Sequence, residues 1–204
     1  MNLPNRITLG RFALALLFFA FFKFAGLPSS EEWWKPAIAG GIFVLAVATD
    51  ALDGYYARKL GLQSDFGRIA DPVVDKIIVA GGFIFLAAST WARDLVPVWM
   101  VVLIISREFM VSGLRGFIEA RGVAFPARWD GKLKMILQCI AIPAVFLQRT
   151  VDLGWPGRHL VAEVAFNFAW VMVWLTFVLT IFSGARYVLA AADVLRRDGG
   201  ERRA

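Results

Sequence analysis

Residues 49–58 read TDALDGYYAR and residues 67–76 read GRIADPVVDK, and these two stretches decide the fold. They carry two pairs of aspartates, Asp50 with Asp53 and Asp71 with Asp75. The members of a pair are three or four residues apart, so each pair lies on one face of a helix. A short basic turn joins the two helices, which therefore run antiparallel and bring both pairs to a similar depth.

The sequence around these stretches is that of a membrane protein. Its 204 residues are 59% hydrophobic and include 18 Phe and 8 Trp, with a mean hydropathy of +0.64. A membrane span needs roughly 20 mostly apolar residues. Six runs of this kind are predicted, at 12–28, 36–58, 69–91, 95–118, 132–149 and 160–188. They predict an all-α integral membrane protein with six transmembrane helices.

We expect one membrane domain over residues 1–204, because the length leaves no room for a separate soluble domain. A short juxtamembrane segment is expected at 1–11. This segment lacks the small-residue cleavage site of a signal peptide, so the first apolar run is expected to be retained. The glycines and mixed charges of residues 196–204 are typical of a disordered tail.

The basic residues predict the orientation in the membrane. The net charge is +6, but lysine and arginine lie between apolar runs rather than along one polar stripe. This distribution favours a membrane over a nucleic-acid partner. With the N-terminus inside, the outer segments hold only Lys35, Arg93, Arg149 and Arg158. Both termini are therefore expected in the cytoplasm, N-in and C-in.

Carboxylates inside membrane spans need compensation. Each costs about 2.5–3.5 kcal/mol, so four left bare would cost on the order of 10 kcal/mol. Lys76 and Arg58 offset part of this cost, but four oxygen ligands around a cavity suit one or two hard cations better. With one histidine and one cysteine in the chain, magnesium, manganese or calcium is favoured over zinc. Ion pairs at a wet helix end are the plainer interpretation, and they account less well for four aspartates at paired spacing.

The pattern D-x-x-D-G-x-x-A-R, eight further residues and G-x-x-x-D-x-x-x-D resembles the signature of the CDP-alcohol phosphotransferases. The matching positions are Asp50, Asp53, Gly54, Ala57, Arg58, Gly67, Asp71 and Asp75. The resemblance implies that the four aspartates bind two divalent cations, Mg²⁺ or Mn²⁺. It also implies that Asp75 is the base that takes the proton from the acceptor hydroxyl, with CMP as the leaving group.

The same resemblance implies a nucleotide site. Gly54, Ala57 and Gly67 would let the cytidine nucleotide lie close to the helices, and Arg58 would meet its phosphates. Asn5 and Thr8 are further candidates, from an N-terminal segment that closes over the nucleotide. These two residues fit a helix cap and an interfacial anchor equally well.

Residues 2–11, 106–115 and 131–138 are similar to the bacterial members that use CDP-diacylglycerol and glycerol 3-phosphate, the phosphatidylglycerophosphate synthases. Tyr56 departs mildly from the family, where an aliphatic residue is common. The resemblance implies a multi-pass protein of the bacterial inner membrane with a cytoplasmic active site, in contact with membrane lipids and with no nucleic acid. It leaves open another acceptor on the same fold, namely serine, inositol phosphate or phosphatidylglycerol.

Four basic residues are candidates for binding the acceptor phosphate: Arg107, Arg115, Lys132 and Lys134. Glycerol 3-phosphate is a dianion, and arginine offers a planar fork for phosphate oxygens. Arg107 lies in the inner half of the bilayer by its place in the fourth span, and the others lie near the cytoplasmic rim. Alternatively, Arg107 pairs only with Glu108 or an aspartate, and the lysines only follow the positive-inside bias.

Functions of other classes fit the sequence less well. An ion-coupled transporter or metal channel needs a polar path across the whole bilayer, whereas the acids here cluster at one depth. A non-catalytic scaffold does not explain the spacing of the four aspartates. Because family members are often dimers, a homodimer is also expected, with small residues as candidate interface positions. These are Gly81, Gly82, Gly113 and Gly116.

Overall fold

The computed structural model describes residues 3–24, 31–60, 65–123, 129–155 and 157–201. Within its helices, the side chains of 3–8, 11, 50–60, 65–72 and 195–201 lie outside the description. The described residues contain six helices and no strand. These are α1 (Leu3–Phe24), α2 (Trp34–Leu60), α3 (Asp65–Ala88), α4 (Val98–Glu119), α5 (Trp129–Gly154) and α6 (His159–Glu201).

The predicted all-α fold is confirmed over these residues, and each helix contains most of one predicted span. The helix ends differ from the spans at both termini. Residues 3–11 are helical and continuous with α1, and their juxtamembrane position stays a prediction. α6 continues to Glu201, whereas the sequence predicts disorder from residue 196. Hydropathy follows only the apolar part of a helix, and the Ala, Leu and Arg residues of 190–197 favour continued helix beyond it.

Two of the described helices are long and apolar enough to cross a membrane, Trp129–Gly154 and the His159–Val194 part of α6. Phe12–Phe24 and Trp34–Thr49 are shorter apolar stretches. α4 has the length of a span, but it carries four charged residues from Arg107 to Glu119, which lower its hydropathy. Within the described residues, composition alone therefore identifies fewer spans than there are helices.

Large apolar side chains cover much of the described surface. Phe24 is 83% exposed, Leu160 74% and Phe109 70%. A water-soluble monomer rarely exposes contiguous apolar surface of this extent, because it promotes association. Lipid tails solvate such a surface, so the exposed side chains agree with an integral membrane protein.

An aromatic core lies where α1, α2, α3 and α5 meet. Its fully buried rings are Phe18, Phe22, Phe43, Phe83 and Phe146. The Phe18 ring centroid lies 5.7 Å from that of Phe43 and 6.0 Å from that of Phe146, both edge to face. Aromatic quadrupoles favour this arrangement by about 0.5–1.5 kcal/mol a pair beyond the area buried. Between helices in lipid, close packing of this kind supplies much of the attraction.

Two glycines allow α3 to approach its neighbours. A Cβ atom on Gly81 would lie 2.3 Å from Phe19 Cε1, and one on Gly82 would lie 3.0 Å from Ile142 Cδ1. Both glycines thus serve contacts with α1 and α5 of the same chain, contrary to the expectation that they face a second copy. A Cβ atom added to Gly113 or Gly116 would have no described atom within 4 Å.

Candidate active site

A cavity of about 540 Å³ lies between α3, α4, α5 and α6. Its charged and polar lining residues are Asp75, Lys76, Arg107, Glu108, Ser112, Arg115, Lys132, Lys134, Gln138 and Tyr187. Apolar side chains, among them Ile77, Ile104 and Phe109, line the rest. The cavity therefore joins an ionic surface to an apolar one, as a site for a charged group and a lipid requires.

Basic groups outnumber acidic ones in this lining. Five lysines and arginines face the cavity, against the carboxylates of Asp75 and Glu108. A concave surface with an excess of positive charge raises the local concentration of anions. The described lining thus favours an anionic ligand over a neutral or cationic one.

Arg107 is held on the cavity wall by α6. Its side chain is 7% exposed, and Nη2 donates to Ser183 Oγ at 2.9 Å. The guanidinium lies 5.6 Å from the centre of the Tyr187 ring, and Nη1 lies 3.5 Å from Glu108 Oε1. A Cβ atom on Gly184 would lie 2.8 Å from Arg107 Cγ, so the glycine leaves room for the arginine. Arg107 therefore does not pair with Glu108 alone.

Glu108 links α4 to α5. The ammonium of Lys134, which is buried, contacts the same Glu108 Oε1 that Arg107 approaches. On the other side, Lys76 Nζ donates to Ser112 Oγ. The Ser112 hydroxyl donates in turn to the main-chain oxygen of Glu108, at 2.8 Å. One carboxylate thus sets the positions of two basic groups that the sequence analysis assigns to the acceptor phosphate.

Arg115 and Lys132 lie at the exposed rim of the cavity. Arg115 Nε donates to Glu119 Oε1 at 2.8 Å, one turn along α4. The Lys132 ammonium lies 5.9 Å from the centre of the Trp129 ring. The four basic residues that the sequence analysis selects therefore line one cavity together with Asp75. Their roles stay predictions.

Two buried donors in the lining have no hydrogen-bond partner among the described residues, Arg107 Nε and Gln138 Nε2. An unmade hydrogen bond of this kind costs about 1–3 kcal/mol. Gln138, Glu108 and Tyr187 were not selected from the sequence as site residues. The sequence does indicate that Gln138 is near the site, because Gln138 follows Lys134 by four residues and so lies on the same helix face as Lys134.

Asp75 also borders a smaller cavity beside Ala46 and Val47 of α2 and Cys139 of α5. Its carboxylate is a hard oxygen donor, which fits Mg²⁺ or Mn²⁺. The side chains of Asp50, Asp53 and Asp71 lie outside the described residues. In the part of the chain that is described, no group of three or more His, Cys, Asp or Glu side chains comes together. The four-aspartate metal site therefore stays a prediction.

The residues predicted to bind the nucleotide also lie outside the description. They are Asn5, Thr8, Gly54, Ala57, Arg58 and Gly67, which belong to α1, α2 and α3 by their backbone. Nothing in the described side chains tests their contacts, and their roles stay predictions.

Comparison with known proteins places the chain in a family. Residues 1–182 match the model of the CDP-alcohol phosphatidyltransferases. A CDP-diacylglycerol–glycerol-3-phosphate 3-phosphatidyltransferase of Bacillus subtilis is 40% identical over 193 residues, covering 91% of this chain and 93% of the relative. A protein of Mycobacterium tuberculosis named "Probable phosphatidylglycerophosphate synthase" is 36% identical over 202 residues, covering 98% and 85%.

A third relative, from Rickettsia bellii, bears the same name as the Bacillus protein. It is 33% identical over 195 residues, covering 93% of this chain and 94% of the relative. These matches run through nearly the whole sequence, including both aspartate pairs. The resemblance seen in the aspartate pattern is therefore confirmed, and the chain belongs to the CDP-alcohol phosphatidyltransferase family of membrane-bound enzymes.

Proposed function

We propose that this chain is a phosphatidylglycerophosphate synthase. It transfers the phosphatidyl group of CDP-diacylglycerol to sn-glycerol 3-phosphate and releases CMP, a step toward phosphatidylglycerol and cardiolipin. The names of the relatives support this reaction. The observation that carries the proposal is the cavity itself, in which the Asp75 carboxylate shares one space with Arg107 and Lys134.

The arrangement suits an acceptor with a phosphate at one end and a hydroxyl at the other. Arg107 and Lys134 bind the phosphate of glycerol 3-phosphate by charge-assisted hydrogen bonds. The primary hydroxyl at the other end then reaches Asp75, which takes its proton as the base. The hydroxyl oxygen bonds to the phosphorus of the phosphatidyl group, and the bond from that phosphorus to the CMP oxygen breaks. Holding both reactants in one cavity removes much of the entropic barrier.

Asp50, Asp53, Asp71 and Asp75 would hold two divalent cations, Mg²⁺ or Mn²⁺. Bound there, the cations supply positive charge that stabilises the attacking and leaving oxygens of the displacement. Gly54, Ala57, Arg58 and Gly67, with Asn5 and Thr8, would bind the cytidine nucleotide. The support for these assignments is the match of the motif, residue by residue, to the family pattern.

The proposal includes an arrangement in the bacterial inner membrane. The six helices would all cross the bilayer, N-in and C-in, as a single domain over residues 1–204. Arg115 near the end of α4 and Lys132 near the start of α5 mark the cavity rim, and the inner loops are the basic ones. The active site would then open to the cytoplasm, where glycerol 3-phosphate is dissolved. A homodimer stays part of the proposal, with the open positions Gly113 and Gly116 as candidates for its interface.

The test is an acceptor comparison with purified protein. In detergent with Mg²⁺ or Mn²⁺ and CDP-diacylglycerol, CMP release is measured with glycerol 3-phosphate, serine, inositol phosphate or phosphatidylglycerol. We expect release that requires both the metal and glycerol 3-phosphate. Release with a different acceptor would overturn the proposed acceptor and keep the enzyme class. No release with any of the four, from folded protein, would overturn the reaction.

A further inference from the structure

Gln138 is a buried side chain in the cavity that the proposed mechanism does not use. It is 2% exposed and lines the 540 Å³ cavity. Its Nε2 group has no hydrogen-bond partner within the described part of the chain. Buried polar groups in folded proteins are nearly always paired, so an exception calls for a reason. A ligand that enters the cavity can supply the partner for this amide donor.

The position of Gln138 tells which part of a ligand it meets. It lies one turn beyond Lys134 on the same face of α5. α3 and α5 run in the same direction, because Asp75 borders a small cavity with Cys139, and Gly82, two turns further along α3, lies against Ile142, further along α5. At 1.5 Å per residue, Asp75 lies about 15 Å along α3 and Gln138 about 14 Å along α5. The amide is therefore at the depth of the base, and Lys134 is one turn nearer the rim.

The two unpaired donors, Arg107 Nε and Gln138 Nε2, differ in charge and therefore suit different parts of a ligand. Arg107 Nε belongs to a guanidinium, which is suited to phosphate oxygens. Gln138 is neutral, and its amide both donates and accepts, which suits a hydroxyl group. A ligand that uses both donors carries a phosphate and, at some distance from it, an uncharged polar group.

We propose that Gln138 binds the secondary hydroxyl of the acceptor, donating from Nε2 to the oxygen on the middle carbon of glycerol 3-phosphate. This inference rests on the proposed function. With the phosphate at Lys134 and Arg107 and the primary hydroxyl at Asp75, the middle carbon lies between the two ends. Gln138 is level with Asp75, so its amide meets the hydroxyl next to the primary one and makes the enzyme select acceptors that carry a hydroxyl there. It is a specificity residue and neither base nor phosphate ligand.

The test compares two acceptors that differ only in this hydroxyl. The first is sn-glycerol 3-phosphate, and the second is 3-hydroxypropyl phosphate, which keeps the phosphate and the primary hydroxyl. A site with a buried polar group discriminates against an analogue that leaves the group unpaired. We expect the wild-type protein to prefer glycerol 3-phosphate by roughly 10–100-fold in kcat/KM, the factor expected when one buried donor is left without a partner.

Gln138→Met removes the amide and nearly keeps the length of the side chain. The preference should fall to roughly threefold or less, through a loss of kcat/KM with glycerol 3-phosphate alone. Because Nε2 has no partner to lose, the melting temperature of the variant in detergent should not fall. Thr176→Val is the matched control. Its hydroxyl is likewise buried and unpaired among the described residues, and Thr176 does not line the cavity.

The proposal is overturned by an equal loss with both acceptors, which would give Gln138 a role toward the shared phosphate. It is also overturned by a preference that survives Gln138→Met, or by a wild type that uses the two acceptors equally. Should Gln138→Met not fold, Gln138→Asn, which draws the amide back by one methylene, must lower the preference. Folded wild type that uses neither phosphate acceptor but does use serine would overturn the proposed function, and this inference with it.

Discussion

The aromatic core and the polar cavity share two helices, α3 and α5, but their side chains are paired to different extents. On α3, Leu86 packs into the core and Asp75 lines the cavity. On α5, Phe146 packs into the core and Gln138 lines the cavity. The core rings are fully buried against one another. The cavity keeps buried donors that have no partner in the described residues.

This difference shows that the core stabilises the fold, whereas the cavity keeps polar groups available to bind a ligand. A ring such as Phe146 contacts Phe18, Phe22 and Trp91, with centroids 6.0–6.1 Å away, so its contacts are complete within the chain. The ionic groups of the cavity use only some of their hydrogen-bond donors and acceptors in contacts within the described residues. A substitution in the core should therefore change stability, and one in the cavity should change catalysis.

Asp75→Asn is expected to show the largest difference between an effect on activity and an effect on stability. The variant keeps the shape of the side chain and loses the base, so CMP release should fall by on the order of 10³-fold. Its melting temperature should stay close to that of the wild type. Activity is measured by a CMP-release assay, and the melting temperature by thermal unfolding in detergent. Activity within tenfold of the wild type would remove Asp75 from the role of base.

Phe146→Ala should show the reverse pattern. Deleting a fully buried ring costs about 3–5 kcal/mol, part of it for the void left behind. We expect a clear fall in the free energy of unfolding, measured by denaturant titration in mixed micelles. The KM for glycerol 3-phosphate should be unchanged at temperatures where the variant is folded. A raised KM without lost stability would mean that the two regions are not separable.

Arg107→Lys tests the phosphate end of the cavity. Lysine keeps the charge and loses the planar fork, so kcat/KM for glycerol 3-phosphate should fall by roughly 10–100-fold, mostly through KM. Arg149→Lys is the matched control. Arg149 is on α5, 3.3 Å from Asp152, and does not line the cavity. Equal effects at the two positions would argue against a phosphate site at Arg107.

Gly184→Ala should give the smallest effect. The added Cβ atom would lie 2.8 Å from Arg107 Cγ, so the arginine must shift by a fraction of an ångström. We expect the KM for glycerol 3-phosphate to rise about threefold to tenfold, with kcat nearly unchanged. Gly41→Ala on α2 adds the same atom where nothing lies within 4 Å. An unchanged KM in Gly184→Ala would show that Arg107 tolerates displacement.

The sequence predicts the six described helices well because apolar runs separated by charged segments mark where each helix lies. It also selects Asp75, Arg107 and Lys134, which the structure brings to one cavity. It does not predict how each helix is rotated about its axis. For that reason the contact of Gly81 with Phe19, the bridging position of Glu108 and the cavity position of Gln138 required the structure. The motif aspartates Asp50, Asp53 and Asp71 stay predictions.

The hydrogen bond from Arg107 to Ser183 has a consequence for how the protein is made. The two residues are 76 positions apart, on α4 and α6. A ribosome therefore delivers α4, with its arginine, well before the hydroxyl that will receive it. Under the six-span arrangement proposed above, inserting this arginine alone into lipid would cost about 2.5–3.5 kcal/mol. The cost would last until α6 is translated and Ser183 reaches the guanidinium, so the insertion of α4 would depend on a helix made much later.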